Sequence, residues 1–191
     1  MRPKHRALGS TAITLMELLV ALAVFTIITY LVIISTVSSR TSNSVAGAAI
    51  YINSQARLAI SKTMRELLEA KSTNIYWDAG SIRFQTPLVD ANGQLIIQIG
   101  GEISFGADQS FTNYISYARN GTQLERQIVD VAGNPTGATS VIARNLSNFT
   151  VTHPTPTQYE LSFNFSIGSY EGISLPENIT YNTTIKITPR N

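Results

Sequence analysis

The most regular feature of the chain is one long apolar run. Residues 13–34 read ITLMELLVALAVFTIITYLVII, interrupted only by Thr14, Glu17, Thr26, Thr29 and Tyr30. As a helix rising about 1.5 Å per residue this run would reach roughly 33 Å, the hydrocarbon thickness of a bilayer. Further on the period changes: Ile52, Ala56, Ile60, Met64 and Leu67 recur three or four residues apart, forming one apolar stripe of an amphipathic helix. Asn53, Arg57, Lys62, Arg65, Glu66 and Glu69 fall off that stripe, as solvated positions should. The helix is expected to continue to about Lys71 and to pack this stripe against the chain's own sheet. Residues 35–47 are rich in Ser, Thr and Asn and include Gly47, so a frayed or bent joint is expected there.

After Ser72 the period becomes two. Short segments rich in aromatic and β-branched residues predict strands at 81–86, 94–99, 114–118, 123–131, 146–152, 159–167 and 179–188. In the sixth of these, Tyr159, Leu161, Phe163, Phe165 and Ile167 alternate with Glu160, Ser162, Asn164 and Ser166, the signature of a half-buried antiparallel strand. Asn92-Gly93 and Asn120-Gly121 read as two-residue hairpin turns, because both central positions of a type I′ turn need positive φ. The fold class is therefore α+β, a long N-terminal helix against an antiparallel β-rich head.

Composition and charge narrow the function. At 191 residues there is room for one ordinary domain and an extension. Only 14% of residues are charged, and Ser and Thr together make up roughly a fifth of the chain. The absence of cysteine removes disulfides, thiolate metal sites and cysteine nucleophiles. The formal net charge of +2 misleads, because Arg2, Lys4 and Arg6 precede the apolar run and all 12 acidic residues follow it. Without those three, 11 of the 14 basic residues remain against 12 acidic ones. A basic segment before an apolar span places the N-terminus in the cytoplasm.

A cleaved secretory signal predicts a shorter apolar core, of about 7 to 15 residues, and an uncleaved anchor needs no charge within the span. Neither accounts for Glu17, an ionisable group one turn inside the run, where burial costs up to about 3 kcal/mol at a bilayer centre. A carboxylate in that position calls for a partner.

Residues 12–21, AITLMELLVA, preceded by a short basic leader, resemble the class III signal of type IV pilins and pseudopilins. In that family the leader is cut just before the apolar helix, and a glutamate stands fifth after the cut. The resemblance puts the cut between Ala12 and Ile13, with Thr14, Leu15, Met16 and Leu18 completing the recognition segment. The family usually carries Gly before the cut; here Ala12 stands there, and a cut after Gly9 would make Glu17 eighth. The resemblance further implies that the new amine of Ile13 is methylated and pairs with Glu17 of a neighbouring subunit during assembly. Many major pilins have a proline near the position of Ile34, and its absence fits a minor member. In the head, 114–117, 124–126 and 143–149 resemble the PilW-type minor pilins and J-type pseudopilins.

The domain organisation expected from all of this is a leader at 1–12, a transmembrane and filament-stem helix at 13–34, its amphipathic continuation at 35–71, and a β-rich head at 72–191. The implied partners are a prepilin peptidase, other pilins or pseudopilins, an inner-membrane assembly platform and the lipid bilayer. The implied location is a single pass through the inner membrane, leader in the cytoplasm and head outside, followed by a pilus or pseudopilus.

No catalytic set is visible: there is no GxSxG, Walker loop or dinucleotide fingerprint, and after the leader His153 is the only histidine. The chain is read as a non-enzyme without cofactor or metal. His153, within His-Pro-Thr-Pro, reads as a loop residue between two strands. The residues Asp90, Asn92 and Gly93 match part of a calcium loop, but the remaining ligands are missing and a hairpin turn accounts for them. Six Asn-X-Ser/Thr triplets, starting at Asn120, Asn145, Asn148, Asn164, Asn178 and Asn182, are about twice the number chance would produce in so hydroxyl-rich a chain. Tyr76 and Trp77 read first as packing at the junction of helix and sheet, with a recognition patch as the alternative. A head that binds nucleic acid would gather its cations, yet Arg83, Arg119, Arg126, Arg144, Lys186 and Arg190 are widely spaced. Two functions are thus in play: a structural minor pilin or pseudopilin, at initiation or the tip, and a pilus-displayed adhesin or DNA-uptake receptor.

Overall fold

A computed structural model describes residues 14–189. The chain divides into two compact units, Met1–Asn43 and Ser44–Asn191. One helix, α1 (Leu15–Leu68), contributes to both.

In the first unit every described residue of α1 up to Arg40 is exposed. Its threonines bond their own helix: the hydroxyls of Thr26, Thr29 and Thr36 each donate to the carbonyl four residues back at 2.8 Å, and Thr41 does so at 3.1 Å. This back-bonding gives each hydroxyl proton an acceptor on the helix itself. The joint expected at 35–47 is accordingly not a break, because α1 runs through it with helical hydrogen bonding.

The second unit begins where α1 acquires a buried side. The buried positions are Ser44, Ala48, Ile52, Ala56, Ala59, Thr63 and Leu67. Spacings of four and three keep them on one face, and three alanines let the sheets approach closely. The stripe read from the sequence is thus rotated by about one position over its last turns: Ala59 and Thr63 are buried, Ile60 is half-buried and Met64 is exposed. Gly47 does not break the helix. The ring of Tyr170 packs so near it that an added Cβ would lie 2.7 Å from Cε1.

After a 3₁₀ turn (Ser72–Asn74) the described residues form ten strands: β1 (Ile75–Asp78), β2 (Ser81–Phe84), β3 (Thr86–Pro87), β4 (Phe105–Gly106), β5 (Tyr114–Asn120), β6 (Gln123–Val129), β7 (Ser140–Arg144), β8 (Leu146–Thr155), β9 (Gln158–Tyr170) and β10 (Ile173–Ile187). All pair antiparallel, in sheets ordered β1-β2-β5-β6-β7, β10-β9-β8 and β3-β4. The core lies between α1 and the first two sheets, and its largest buried side chains are Phe84, Tyr117, Phe149, Phe163 and Phe165. An α+β fold with its helix packed on antiparallel sheets is therefore present.

Several strand expectations need correction. Residues 94–99 form no strand, only bridges from Leu95 to Val89 and from Ile97 to Ile103. There the chain winds on itself: the Leu88 amide donates to Ser104, Ser104 to Ile96, and Ile96 to Leu88, at 2.8 to 2.9 Å. The turn placed at Asn120-Gly121 is shifted by one residue. Asn120 pairs with Gln123, so Gly121-Thr122 form the two-residue loop, with Gly121 at φ +59. A loop with positive φ only at its first position is the type II′ geometry. Near Asn92 the loop has three residues, since the Asp90 amide donates to Gln94 and Gly93 donates back to Asp90, leaving only Gly93 at positive φ.

His153 is no loop residue either; it lies inside β8. Pro154 beside it is tolerated because β8 is an edge strand whose register shifts between Thr152 and Thr155. Glu66, expected in solvent, turns inward: its carboxylate accepts from Arg126 Nε at 3.0 and 3.1 Å and from the Tyr117 hydroxyl at 3.0 Å.

Candidate functional site

The sequence directs attention to the N-terminus of α1. Ala12 and Ile13, the residues of the expected cut, lie outside the described residues. Thr14 and Glu17 are brought together, while the side chains of Leu15, Met16 and Leu18 stand exposed. Thr14 precedes the first helical residue, and its carbonyl accepts the Leu18 amide at 3.1 Å, the position of an N-cap. Its hydroxyl accepts the Glu17 amide at 3.2 Å, and Glu17 Oε2 accepts the Thr14 amide at 2.9 Å and the Thr14 hydroxyl at 3.0 Å. These reciprocal bonds make a capping box, which satisfies donors that a helix start otherwise leaves free. Glu17 thus has a partner within its own chain. The spacing Thr-x-x-Glu already carried that information, hidden behind the apolar run in which Glu17 stands out as a charge.

Beyond this cap the described residues contain one helix long and apolar enough to cross a membrane, and none of its apolar stretch is buried. Glu17 is the only acidic residue in it before Asn43.

A second arrangement lies on the outer face of the five-stranded sheet. Strand alternation sends Ile82 and Phe84 inward and Arg83 outward, in register with Tyr76 on β1 and Ser116 on β5. Around them is a recess of about 390 Å³ lined by Tyr76, Trp77, Asp78, Ser81, Arg83, Ser116, Ala132 and Gly133. Its overhang is a turn in which the Asp130 amide donates to Asn134 and Gly133 donates to Asp130, with Gly133 at φ +91. Arg83 holds that turn: Nη1 donates to the Val131 carbonyl at 3.3 Å, and the guanidinium lies 5.2 Å from the centre of the Tyr76 ring. The φ of +91 at Gly133 favours glycine, and an added Cβ there would sit 2.8 Å from Arg83 Nη1 and displace the guanidinium.

Asp78 faces the same recess. Burial alone would push its carboxyl up, but bonds from the Gly80 amide and the Ser81 hydroxyl, helped by the Arg83 charge, hold it below the usual carboxylate value. Neither Asp78 nor Arg83 has an oppositely charged partner within 4.0 Å among the described residues. Tyr76 also packs edge-on against Tyr114, with centroids 5.6 Å apart. Trp77, next along β1, instead meets His153 at 4.4 Å and Tyr159 at 5.4 Å across the seam with the other sheet. The aromatic pair read from the sequence therefore splits, Trp77 into packing and Tyr76 into the recess wall.

Three other cations of the head are engaged separately, and Arg190 lies outside the described residues. Arg126 pairs with Glu66, Lys186 lies 3.9 Å from Glu160, and Arg119 donates to the Gly121 carbonyl. Asp90 spends its Oδ1 on the amides of Asn92 and Gln94, within its own turn.

No family model, no curated protein and no solved structure matches this chain.

Proposed function

We propose that the chain is a minor type IV pilin or pseudopilin, a non-enzymatic subunit that a prepilin peptidase cuts between Ala12 and Ile13. In this reading the Ile13 amine is methylated, and the helix waits as a single pass in the inner membrane with the head outside. The assembly platform then moves it, with other pilins or pseudopilins, into a pilus or pseudopilus, where it primes assembly or occupies the tip. One observation carries the reading. A single helix presents an exposed apolar half, with a lone carboxylate at its first turn, and continues into a head built on antiparallel sheets.

The capping box sharpens the role of Glu17. Oε2 takes both of the bonds from Thr14 that involve the carboxylate, and both come from neutral groups, so the charge itself is not cancelled by any cation among the described residues. That charge is available to the Ile13 amine of a neighbouring subunit, which would offset much of the cost of a carboxylate in lipid. Glu17→Gln separates the two duties, since glutamine keeps the capping box and loses the charge. Expected in fibre preparations is at least a tenfold loss of incorporation for Glu17→Gln and Glu17→Ala, with Thr14→Ala assembling nearly as the unmodified protein does. Normal incorporation of Glu17→Gln would reduce Glu17 to a helix cap and remove the pairing. N-terminal sequencing of the processed protein is expected to begin at Ile13.

A further inference from the structure

Assembly through α1 makes no use of the recess on the outer sheet face. We infer that this recess is a saccharide-binding site, in which Asp78 and Arg83 hydrogen-bond sugar hydroxyls beside the Tyr76 wall. The inference goes beyond the assembly role and stands without it.

An ionised carboxylate has about four acceptor sites, and Asp78 uses one on each oxygen, for Gly80 and Ser81. A guanidinium has five N–H donors, and Arg83 gives one to Val131. Spare acceptors and spare donors therefore lie in one recess without meeting each other. A purely anionic ligand would be repelled by Asp78 and a purely cationic one by Arg83. A hydroxyl donates and accepts in the same group, so a polyol satisfies both.

The wall fits such a ligand: Ser81 and Ser116 add hydroxyls, while Tyr76, 45% exposed, offers apolar surface to the C–H face of a sugar ring. A mostly polar recess of about 390 Å³ has the size of a small saccharide and too little apolar lining for a lipid or a hydrophobic side chain. Arg83 is held by a carbonyl and by a ring, and Asp78 by its bonds within the β1–β2 hairpin, so less freedom is lost on binding.

The test uses the full chain in detergent, applied to an array of defined neutral and sialylated oligosaccharides and then titrated with those retained. Retention of neutral glycans is expected, weakened at least tenfold in Asp78→Asn, which removes the charged acceptor. The same loss is expected in Ser116→Leu, which fills the floor from a position with no side-chain hydrogen bond to lose. Circular dichroism melts of both variants should match that of the unmodified protein. A variant that fails to melt cooperatively is replaced by competition with the free sugar, which must displace the array signal. Retention of no glycan overturns the inference. So does equal retention by both variants, binding confined to polyanions such as heparin, or displacement by free amino acids rather than sugars. None of these results touches fibre incorporation, so loss of the saccharide site and loss of the assembly role are read separately.

Discussion

Glu66 stands on α1, yet its two closest partners come from strands more than fifty residues away. Arg126 and Tyr117 are neighbours across β5 and β6, and their inward side chains converge on one carboxylate. Burial first, and then the adjacent Glu66 charge, push the Tyr117 hydroxyl well above the ordinary tyrosine value, so it remains a hydrogen-bond donor across all working pH. Because both charged side chains keep some contact with water, the pair falls between an exposed bridge and a sealed one. Glu66→Ala leaves a guanidinium and a phenol without their acceptor and should destabilise the head by about 2 kcal/mol in urea titrations followed by circular dichroism. Arg126→Met combined with Glu66→Leu should recover most of that loss, since removing both charges leaves nothing unpaired.

At the scale of elements, the turn at 130–134 shows how a carboxylate sets local geometry. The side-chain and backbone bonds of Asn134 hold the Asp130 carboxyl below its usual value of 3.8. A depressed carboxylate stabilises above the unfolded value and loses that contribution as the pH falls through the folded one. The turn should therefore hold at neutral pH and loosen only in acid below 3.8. The amide resonance of Asn134 is expected to stay flat down to that range and then move. An Asp130→Ala chain should show the loosened position at every pH.

Not every element was equally readable from the sequence. β9 was legible because five alternate residues reach the core in unbroken succession. β1 and β7, only four and five residues long, were not, since each is ordered chiefly by pairing with a neighbour, β2 and β6. The apolar run at 94–99 misled because Ile97 and Ile99 face solvent, and Gly100-Gly101 turn the chain before it can join a sheet. Among functional residues, Glu17 was visible as a charge in an apolar run, and its Thr14 cap as a spacing. The recess was not visible, since residues 76–83, 116 and 131–133 meet only through strand registers that the sequence does not number.

For the molecule as a whole, the division at Asn43 assigns the second half of α1 to the head. From Ser44 to Leu67 that half supplies one side of the core, so the sheets would lose their cover without it. Residues 44–191 expressed alone should therefore be soluble and melt cooperatively, whereas residues 72–191 should aggregate through the uncovered faces around Phe84, Tyr117 and Phe163. Size-exclusion chromatography of the two fragments distinguishes these outcomes.

Trp77 has a practical consequence at this scale. It is the only tryptophan of the chain, and it touches His153 and Tyr159 at the seam where β1 meets the other sheet. Its fluorescence therefore comes from one place, with an imidazole quencher in contact and a tyrosine close enough to transfer excitation. Tryptophan emission from the intact chain in a bilayer, excited where the stem's Tyr30 does not absorb, would report separation of these two sheets, so the head carries its own optical gauge of integrity.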